Sequence, residues 1–181
     1  MNYRNTPEQY GLVAKCFHSL IATLVLVQCG MIGLKKWFLP QGSPLAKSII
    51  GVWHKPIGLI SLVIAALTLI WYLHNPRPKW PATMQAWEKK LATVVHRCLL
   101  LSVLLMSIWG LLMSVAAGYA PSFFGLFTLP LFMAKDEKLA HLMSDFHSWT
   151  SCCILFFLAL HLLAVVKHVF IDKDNVLKRI F

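Results

Sequence analysis

Four long apolar segments limit what this chain can fold into more than any other feature of its sequence. They cover about residues 10–34, 49–73, 91–117 and 145–170. Each reaches the roughly 20 residues that a helix needs to cross a bilayer. Of the 181 residues, 58% are hydrophobic and only 13% are charged, which is too much apolar surface for a soluble domain of this size. We therefore predict an all-α integral membrane protein built as a four-transmembrane-helix bundle.

A further apolar segment lies between the third and fourth spans but is too short and interrupted to cross. It reads YAPSFFGLFTLPLFMA over residues 119–134 and contains Pro121, Gly125 and Pro130. Because lipid does not tolerate unsatisfied backbone polar groups, we predict an interfacial segment between helices 3 and 4.

The polar start MNYRNTPEQY does not resemble a cleaved signal, so we expect the first span to be retained. No repeat or linker divides the sequence, which predicts a single domain over residues 1–181.

The net charge of +10 follows the pattern of a membrane topology and does not indicate nucleic-acid binding. Eleven of the 17 Lys and Arg residues lie in the N-terminus, the second loop and the C-terminus, and six lie in the first and third loops. Since Lys and Arg are enriched on the cytoplasmic side of membranes, this bias places both termini in the cytoplasm. An even number of spans agrees with that placement.

Histidines within the spans fall at two depths. His147 and His161 are 14 residues apart, so on one helix they face similarly and lie about 21 Å apart along the axis. Following the direction of each span places His18 and His161 at the inner level and His54 and His147 at the outer level. Two axial ligands of one haem must share a depth and come from facing helices. The spacing therefore predicts a bundle enclosing two haems, held by His18 with His161 and by His54 with His147.

Other interpretations of these histidines differ in what they require. A zinc or copper site would more often add carboxylate or thiolate ligands close by, and the spans contain almost no carboxylates. The cysteines form no Cys-x-x-Cys-His motif, which excludes covalent haem attachment of that kind. A haem-free transporter or proton channel with a histidine relay stays open. Gly58, one turn beyond His54, would either let a macrocycle lie close or serve helix packing.

The sequence resembles the bacterial cytochrome b561 family, which is related to the b-type membrane subunits of nickel hydrogenases and formate dehydrogenases. The resemblance covers essentially the whole chain. It rests on the histidines of the four spans and on the segments between and after them, namely His18, His54 with Gly58, His96 with Gly110, Phe124-Gly125-Leu126 with Pro130, His147, His161, His168 and the tail Lys173-Asp174-Asn175-Val176-Leu177.

The resemblance implies two haem b groups with the same ligand pairs that the depth argument gives. It also implies a multi-pass protein of the bacterial inner membrane. One branch of the family oxidises superoxide to O₂ at the outer face and passes electrons through both haems to ubiquinone, and this chain is similar to it in size and tail. We therefore expect a superoxide:quinone oxidoreductase. The alternative is an electron-transfer subunit that serves a hydrogenase- or dehydrogenase-like partner, although a protein partner is not required.

The remaining site residues are predicted from position and chemistry. Lys15, Arg97 and Lys55 are candidates for contacts to haem propionates, since cations suit carboxylates, with snorkelling to lipid headgroups as the alternative. His96 and His168 are candidates for quinone contact or proton supply, because imidazole titrates near neutral pH. The lysines of the outer loops are candidates for steering superoxide, a small anion, or else form a solvated surface. They are Lys35, Lys36, Lys47, Lys135 and Lys138.

Overall fold

The computed structural model describes residues 2–180 and is mostly helical. Its elements are, in order, α1 (Leu12–Phe38), the short α2 (Pro44–Ser48), α3 (Lys55–His74), α4 (Ala86–Ala116), β1 (Ser122–Phe123), β2 (Phe127–Thr128) and α5 (Glu137–Val166). Four continuous helical stretches within the described residues are long and apolar enough to cross a membrane: Leu12–Phe38, Pro44–His74, Ala86–Ala116 and Glu137–Asp172. The predicted four-helix membrane architecture is therefore confirmed.

Two of these stretches contain a wider π-helical turn. Ile49–His54 joins α2 to α3, and Lys167–Asp172 continues α5. Pro56 lies at the start of α3 and is fully buried. A proline lacks an N–H and its ring collides with the carbonyl four residues earlier, which accounts for a widened turn just before it. His54 is the last residue of that turn, so its position depends on the distortion.

The helices pack in the order α1, α3, α4, α5, with the most extensive contact between α4 and α5. The small buried cluster of Ala65, Val103 and Ile154 joins the last three. Large apolar side chains elsewhere face outward, and Phe156, for example, is 59% exposed. Such a surface is stable in lipid, where outward apolar side chains cost nothing.

The described residues near the start and near the end of the chain lie together at one end of the bundle, which we name the termini end. The backbone N–H of Tyr10 donates to the carbonyl of Arg179 at 3.4 Å, and Arg179 Nε donates to the carbonyl of Glu8 at 2.7 Å. Burial raises the pKa of the Tyr10 hydroxyl, although the charges of Arg77 and Arg179 oppose that shift. The opposite end, which we name the loop end, carries α2, the β1–β2 hairpin and the start of α5.

The segment after α4 forms a two-stranded hairpin, so the fold is not purely helical. Ser122 pairs with Thr128 and Phe123 with Phe127 in antiparallel register. Phe124 and Gly125 at its tip have φ of +51° and +76°, a region that glycine adopts freely and phenylalanine does not. The segment over residues 119–134, which the sequence predicts not to cross the membrane, does not form a long helix. It contains a short β-hairpin that the sequence did not predict.

Helices α4 and α5 begin earlier than the apolar segments predict. The structure starts α4 at Ala86, after a capping box of Gln85 and Glu88, and starts α5 at Glu137, where the Asp136 side chain accepts from the backbone N–H of Leu139 at 3.0 Å. Charged residues occupy both first turns. A hydropathy pattern assigns charged residues to loops. A helix end that extends beyond the hydrocarbon core can nevertheless contain them, and acidic side chains stabilise the N-terminal end of a helix.

Candidate haem-binding sites

Histidines from opposite sides of the bundle meet at the termini end. His18 on α1 and His161 on α5 have ring centres 6.3 Å apart, with an angle of 59° between the ring planes. Both residues are partly buried. The structure thus brings together the pair that the sequence predicted for the inner level.

A second pair meets at the loop end. His54, at the π-helical turn before α3, and His147, on α5, have ring centres 6.1 Å apart with an angle of 81° between their planes. The two pairs share α5 and use α1 and the second span on the other side. This arrangement gives two levels along the bundle, as the helix directions predicted.

The separation within each pair suits two imidazoles that bind one iron from opposite faces of a haem. A metal–nitrogen bond of about 2 Å, and about 1 Å more to the ring centre, put two such rings about 6 Å apart. Both pairs match that distance. His54 Nδ1 is also buried without a hydrogen-bond partner among the described residues, a costly condition for an imidazole that coordination would relieve. The residues present therefore fit a haem at each level.

The ring of His147 is fixed in orientation by its neighbours on α4. Its Nδ1 lies 3.0 Å from the carbonyl oxygen of Met106. Because a carbonyl only accepts, Nδ1 must carry the proton, which leaves Nε2 as the available ligand atom. Gly110 makes this approach feasible, since a Cβ there would lie 3.1 Å from His147 Cε1. Such a hydrogen bond from the second imidazole nitrogen is typical of metal-binding histidines.

Gln28 supports the loop-end pair and was missed by the sequence reasoning. Its Nε2 donates to the backbone carbonyl of His54 at 3.0 Å, bridging α1 to the π-helical turn. A Cβ on Gly58 would lie 3.6 Å from the same nitrogen, so Gly58 faces Gln28 at ordinary contact distance. The only sequence signal for Gln28 is that it is an amide within an otherwise apolar span, where polar residues are costly and usually have a role.

His96 lies beside the termini-end pair. Its ring centre is 5.0 Å from that of His161, in an edge-to-face contact, and its Nδ1 is 2.6 Å from the carbonyl of Ala92. That separation is shorter than two rings on opposite sides of one iron require. The geometry therefore favours His18, and not His96, as the residue opposite His161.

His168 belongs to a charged cluster that ends the last helix. Its Nδ1 lies 2.8 Å from an Asp174 oxygen and 3.2 Å from an Asp172 oxygen. Lys167 pairs with Asp172 and with Glu88 of α4, at 2.6 Å in each case. The left-handed Lys173, with φ of +51°, turns the chain so that Asp174 reaches back to the helix. The cluster thereby fastens the tail to the termini end.

The predicted propionate candidates lie at both ends. Lys55 is half-buried and donates to the hydroxyl of Ser114 at 3.0 Å, with its ammonium 5.4 Å from the centre of the Tyr119 ring. Arg97 donates to the hydroxyl of Tyr72 at 3.4 Å at the termini end. Lys15 lies on the first turn of α1, three residues before His18.

All the predicted steering lysines are exposed at the loop end. Lys135 pairs with Glu137 at 2.8 Å, which raises the pKa of the Lys135 ammonium. The others are exposed residues on the last turn of α1, on α2 and on the first turn of α5. They are Lys35, Lys36, Lys47 and Lys138.

A membrane bundle with histidine pairs at two depths defines a class of membrane cytochromes with non-covalently bound haem. Comparison with known proteins specifies the family: the chain belongs to the family described as prokaryotic cytochrome b561, whose sequence profile matches residues 9–181. It is 30% identical to cytochrome b561 homolog 2 of Escherichia coli (strain K12), over 99% of this chain and 94% of the relative. It is 25% identical to cytochrome b561 homolog 1 of the same strain, over 90% of each.

Family membership makes this protein a multi-pass bacterial membrane cytochrome that binds haem b and acts in electron transfer. The haem-free transporter that the histidines alone left open is not supported by this result. The prediction that this protein is a membrane redox protein is therefore confirmed as far as electron transfer by a b-type cytochrome.

Proposed function

We propose that the protein holds two haem b groups, one between His18 and His161 and one between His54 and His147. The observation that carries this proposal is the ring-centre separation of 6.3 Å and 6.1 Å in the two pairs. Bound haem b supplies one-electron acceptance and donation. The protein orients the His147 ring through Met106 and Gly110, and fixes the backbone of His54 through Gln28. Because the two pairs lie at opposite ends of the bundle, electrons can enter near one membrane face and leave near the other.

We further propose that the loop end faces outward, where superoxide is oxidised, and that ubiquinone is reduced at the termini end. Two superoxide anions, one quinone and two protons give two O₂ and one quinol. The exposed lysines at the loop end support this assignment, because a positive surface concentrates a small anion. The lysine and arginine bias of the sequence supports cytoplasmic termini in a bacterial inner membrane.

The purified holoprotein, without a partner, tests this function. Superoxide generated in a stopped-flow mixer is expected to reduce the haems, which is observed as a change in their absorption bands. A short-chain ubiquinone is then expected to reoxidise the haems. Superoxide dismutase in the same mixture should abolish the reduction. An unchanged spectrum after superoxide addition, with reduction by dithionite intact, would show that the protein takes electrons from another donor.

A second candidate function is electron transfer from a docked protein, as in the hydrogenase- and dehydrogenase-type assemblies. The observation that favours it is the loop-end hairpin, where Leu126 is 80% and Phe127 is 53% exposed. Exposed apolar residues of this kind mark either a membrane contact or a protein contact. A partner that co-purifies and reduces the haems, where superoxide does not, would select this alternative.

Replacing Gly110 with alanine is expected to disturb the loop-end haem alone. The new Cβ would lie 3.1 Å from His147 Cε1, and the ring cannot retreat without losing its hydrogen bond to Met106. Overpacking of this kind costs about 1–3 kcal/mol. Redox titration of the haem spectrum should therefore show one changed component and one unchanged component.

Gly30→Ala is the matched control for this variant. Gly30 lies within α1, and a Cβ there has nothing within 4 Å. Its spectrum and titration should equal those of the unmodified protein. Identical titrations for the Gly110 and Gly30 variants would contradict the role of Gly110 in seating His147.

A further inference from the structure

A groove at the termini end lies beside the start of α4, and we name it the Trp80 groove. Its volume is about 470 Å³. It is lined by Trp80 of the loop before α4 and by residues of the first turns of that helix, namely Lys89, Lys90, Thr93 and Val94. Charged residues give way to apolar ones within these turns. The groove therefore lies at the level where the span enters the hydrocarbon core.

The two lysines of the groove are not neutralised by the protein. Lys90 is exposed and Lys89 is partly buried, and neither forms an ion pair or a side-chain hydrogen bond with any residue from 2 to 180. Glu88 on the same helical turn has other partners, since its Oε1 binds Lys167 at 2.6 Å and its Oε2 accepts from the backbone N–H of Gln85 at 2.7 Å. Two neighbouring ammonium groups without a counter-charge attract an anion.

The other polar groups of the groove limit the chemistry of that anion. The Thr93 hydroxyl donates to the carbonyl of Lys89 at 2.8 Å, so its oxygen is left to accept from a hydroxyl of the ligand. The Trp80 ring is 41% exposed, and indoles favour the membrane interface, where the ring contacts apolar groups and the N–H contacts polar ones. A phosphate with a hydroxyl-bearing headgroup meets these conditions. A zwitterionic headgroup would bring its own cation close to the two lysines.

An apolar strip continues from the groove along the same face of α4. Val94 is 51% exposed, and Leu101, seven residues further, is 48% exposed. Seven residues make about two helical turns, so the two side chains lie on one face, about 10 Å apart along the axis. An acyl chain would cover this strip, whereas a soluble phosphate ester would leave it bare. The groove and the strip together match a lipid.

We propose that the Trp80 groove binds one anionic phospholipid of the phosphatidylglycerol type. Its phosphate lies at the ammonium groups of Lys89 and Lys90, and an acyl chain lies along Val94 and Leu101. Basic pockets beside membrane helices recognise acidic headgroups through the same chemistry. The inference goes beyond the proposed function and does not depend on it, because no residue of the groove belongs to either histidine pair.

Lipid titration of the delipidated holoprotein in detergent, followed by native mass spectrometry, tests the proposal. We expect one phosphatidylglycerol to bind more tightly than phosphatidylcholine with the same acyl chains. A double variant, Lys89→Gln with Lys90→Gln, should weaken binding of phosphatidylglycerol about 25-fold, since each lysine beside an anionic lipid contributes about fivefold. Binding of phosphatidylcholine should not change. The haem absorption spectrum should stay normal, which shows that the variant is folded.

The matched control is Lys173→Gln with Lys178→Gln. Both lysines are exposed at the same end of the bundle, so the control removes the same charge outside the groove and should bind phosphatidylglycerol like the unmodified protein. Equal weakening in the two double variants would overturn the proposal. Equal affinity of the unmodified protein for the two lipids, or no binding of either, would overturn it as well.

Two soluble competitors separate a lipid from a free anion. They are inorganic phosphate and glycerophosphoglycerol, which is the headgroup without its acyl chains. Neither should displace phosphatidylglycerol at equal concentration, because neither covers the apolar strip. Displacement by either would show that the groove binds a soluble phosphate and would contradict the proposed lipid.

Photolabelling locates the lipid by a readout that is independent of affinity. A phosphatidylglycerol with a diazirine on its acyl chain, irradiated with the holoprotein, is expected to label the part of α4 that contains Val94 and Leu101. Excess phosphatidylglycerol should prevent this labelling, and excess phosphatidylcholine should not. Labelling confined to the other spans would overturn the assignment.

Discussion

Replacing His161 with alanine is expected to halve the haem content, from two haem b groups per chain to one. His161 faces His18 across 6.3 Å at the termini end, whereas the loop-end pair is held by separate residues and its own support from Met106 and Gln28. His18→Ala should lose the same haem, and His54→Ala or His147→Ala should lose the other. A pyridine haemochrome assay against protein concentration measures the stoichiometry, and redox titration identifies which component is missing.

Transfer of electrons from superoxide to quinone should fall to background in all four of these variants, because each leaves one level of the bundle without its carrier. His141→Ala is the control, since His141 is an exposed histidine on the first turns of α5. It should keep both haems and full activity. Loss of both haems from every single variant, in protein that stays monodisperse, would contradict two independently held groups.

His96→Ala separates the two residues that lie next to His161. The His96 ring is 5.0 Å from the His161 ring and the His18 ring is 6.3 Å from it. We expect His96→Ala to keep both haems. A variant at His96 that loses the termini-end haem while His18→Ala retains it would reverse the ligand assignment.

The architecture was predictable because long apolar segments have few alternatives in a bilayer. The length of each apolar segment determines the number of spans. Because successive spans run in opposite directions, the sequence alone is enough to assign each histidine to a depth. The structure places His18 near His161 and His54 near His147 in agreement with that sorting. Ligation itself stays a prediction.

The helix ends and supporting contacts were not predictable in the same way. α5 begins at Glu137 because of a side-chain cap by Asp136, within a charged segment that hydropathy assigns to a loop. Gln28 bonds to a carbonyl 26 residues further along the chain, and no local pattern encodes such a partner. The approach of His147 to Gly110 likewise depends on how α4 and α5 pack. Tertiary geometry decides these contacts.

Neutralising the exposed lysines of the loop end is expected to slow haem reduction by superoxide about tenfold or more at low ionic strength, since steering of a small anion has that magnitude. The variant changes Lys35, Lys36, Lys47 and Lys138 to glutamine. Lys135 is left unchanged because Glu137 already pairs with it at 2.8 Å. Lys55 is left unchanged because it bonds to Ser114 beside the loop-end pair. Stopped-flow measurement of the second-order rate constant checks the prediction.

A matched variant distinguishes local steering from net charge. Lys79, Lys90, Lys173 and Lys178 are exposed at the termini end, and changing them to glutamine removes the same charge far from the loop-end pair. That variant should retain the normal rate, since α4 alone has 31 residues and so separates the two ends of the bundle by about 46 Å, which exceeds even the Debye length of about 30 Å at 0.01 M salt. Added salt should slow the unmodified protein and the matched variant but have little effect on the loop-end variant. Equal slowing of both variants would indicate that total charge, and not the surface around His54 and His147, sets the encounter rate.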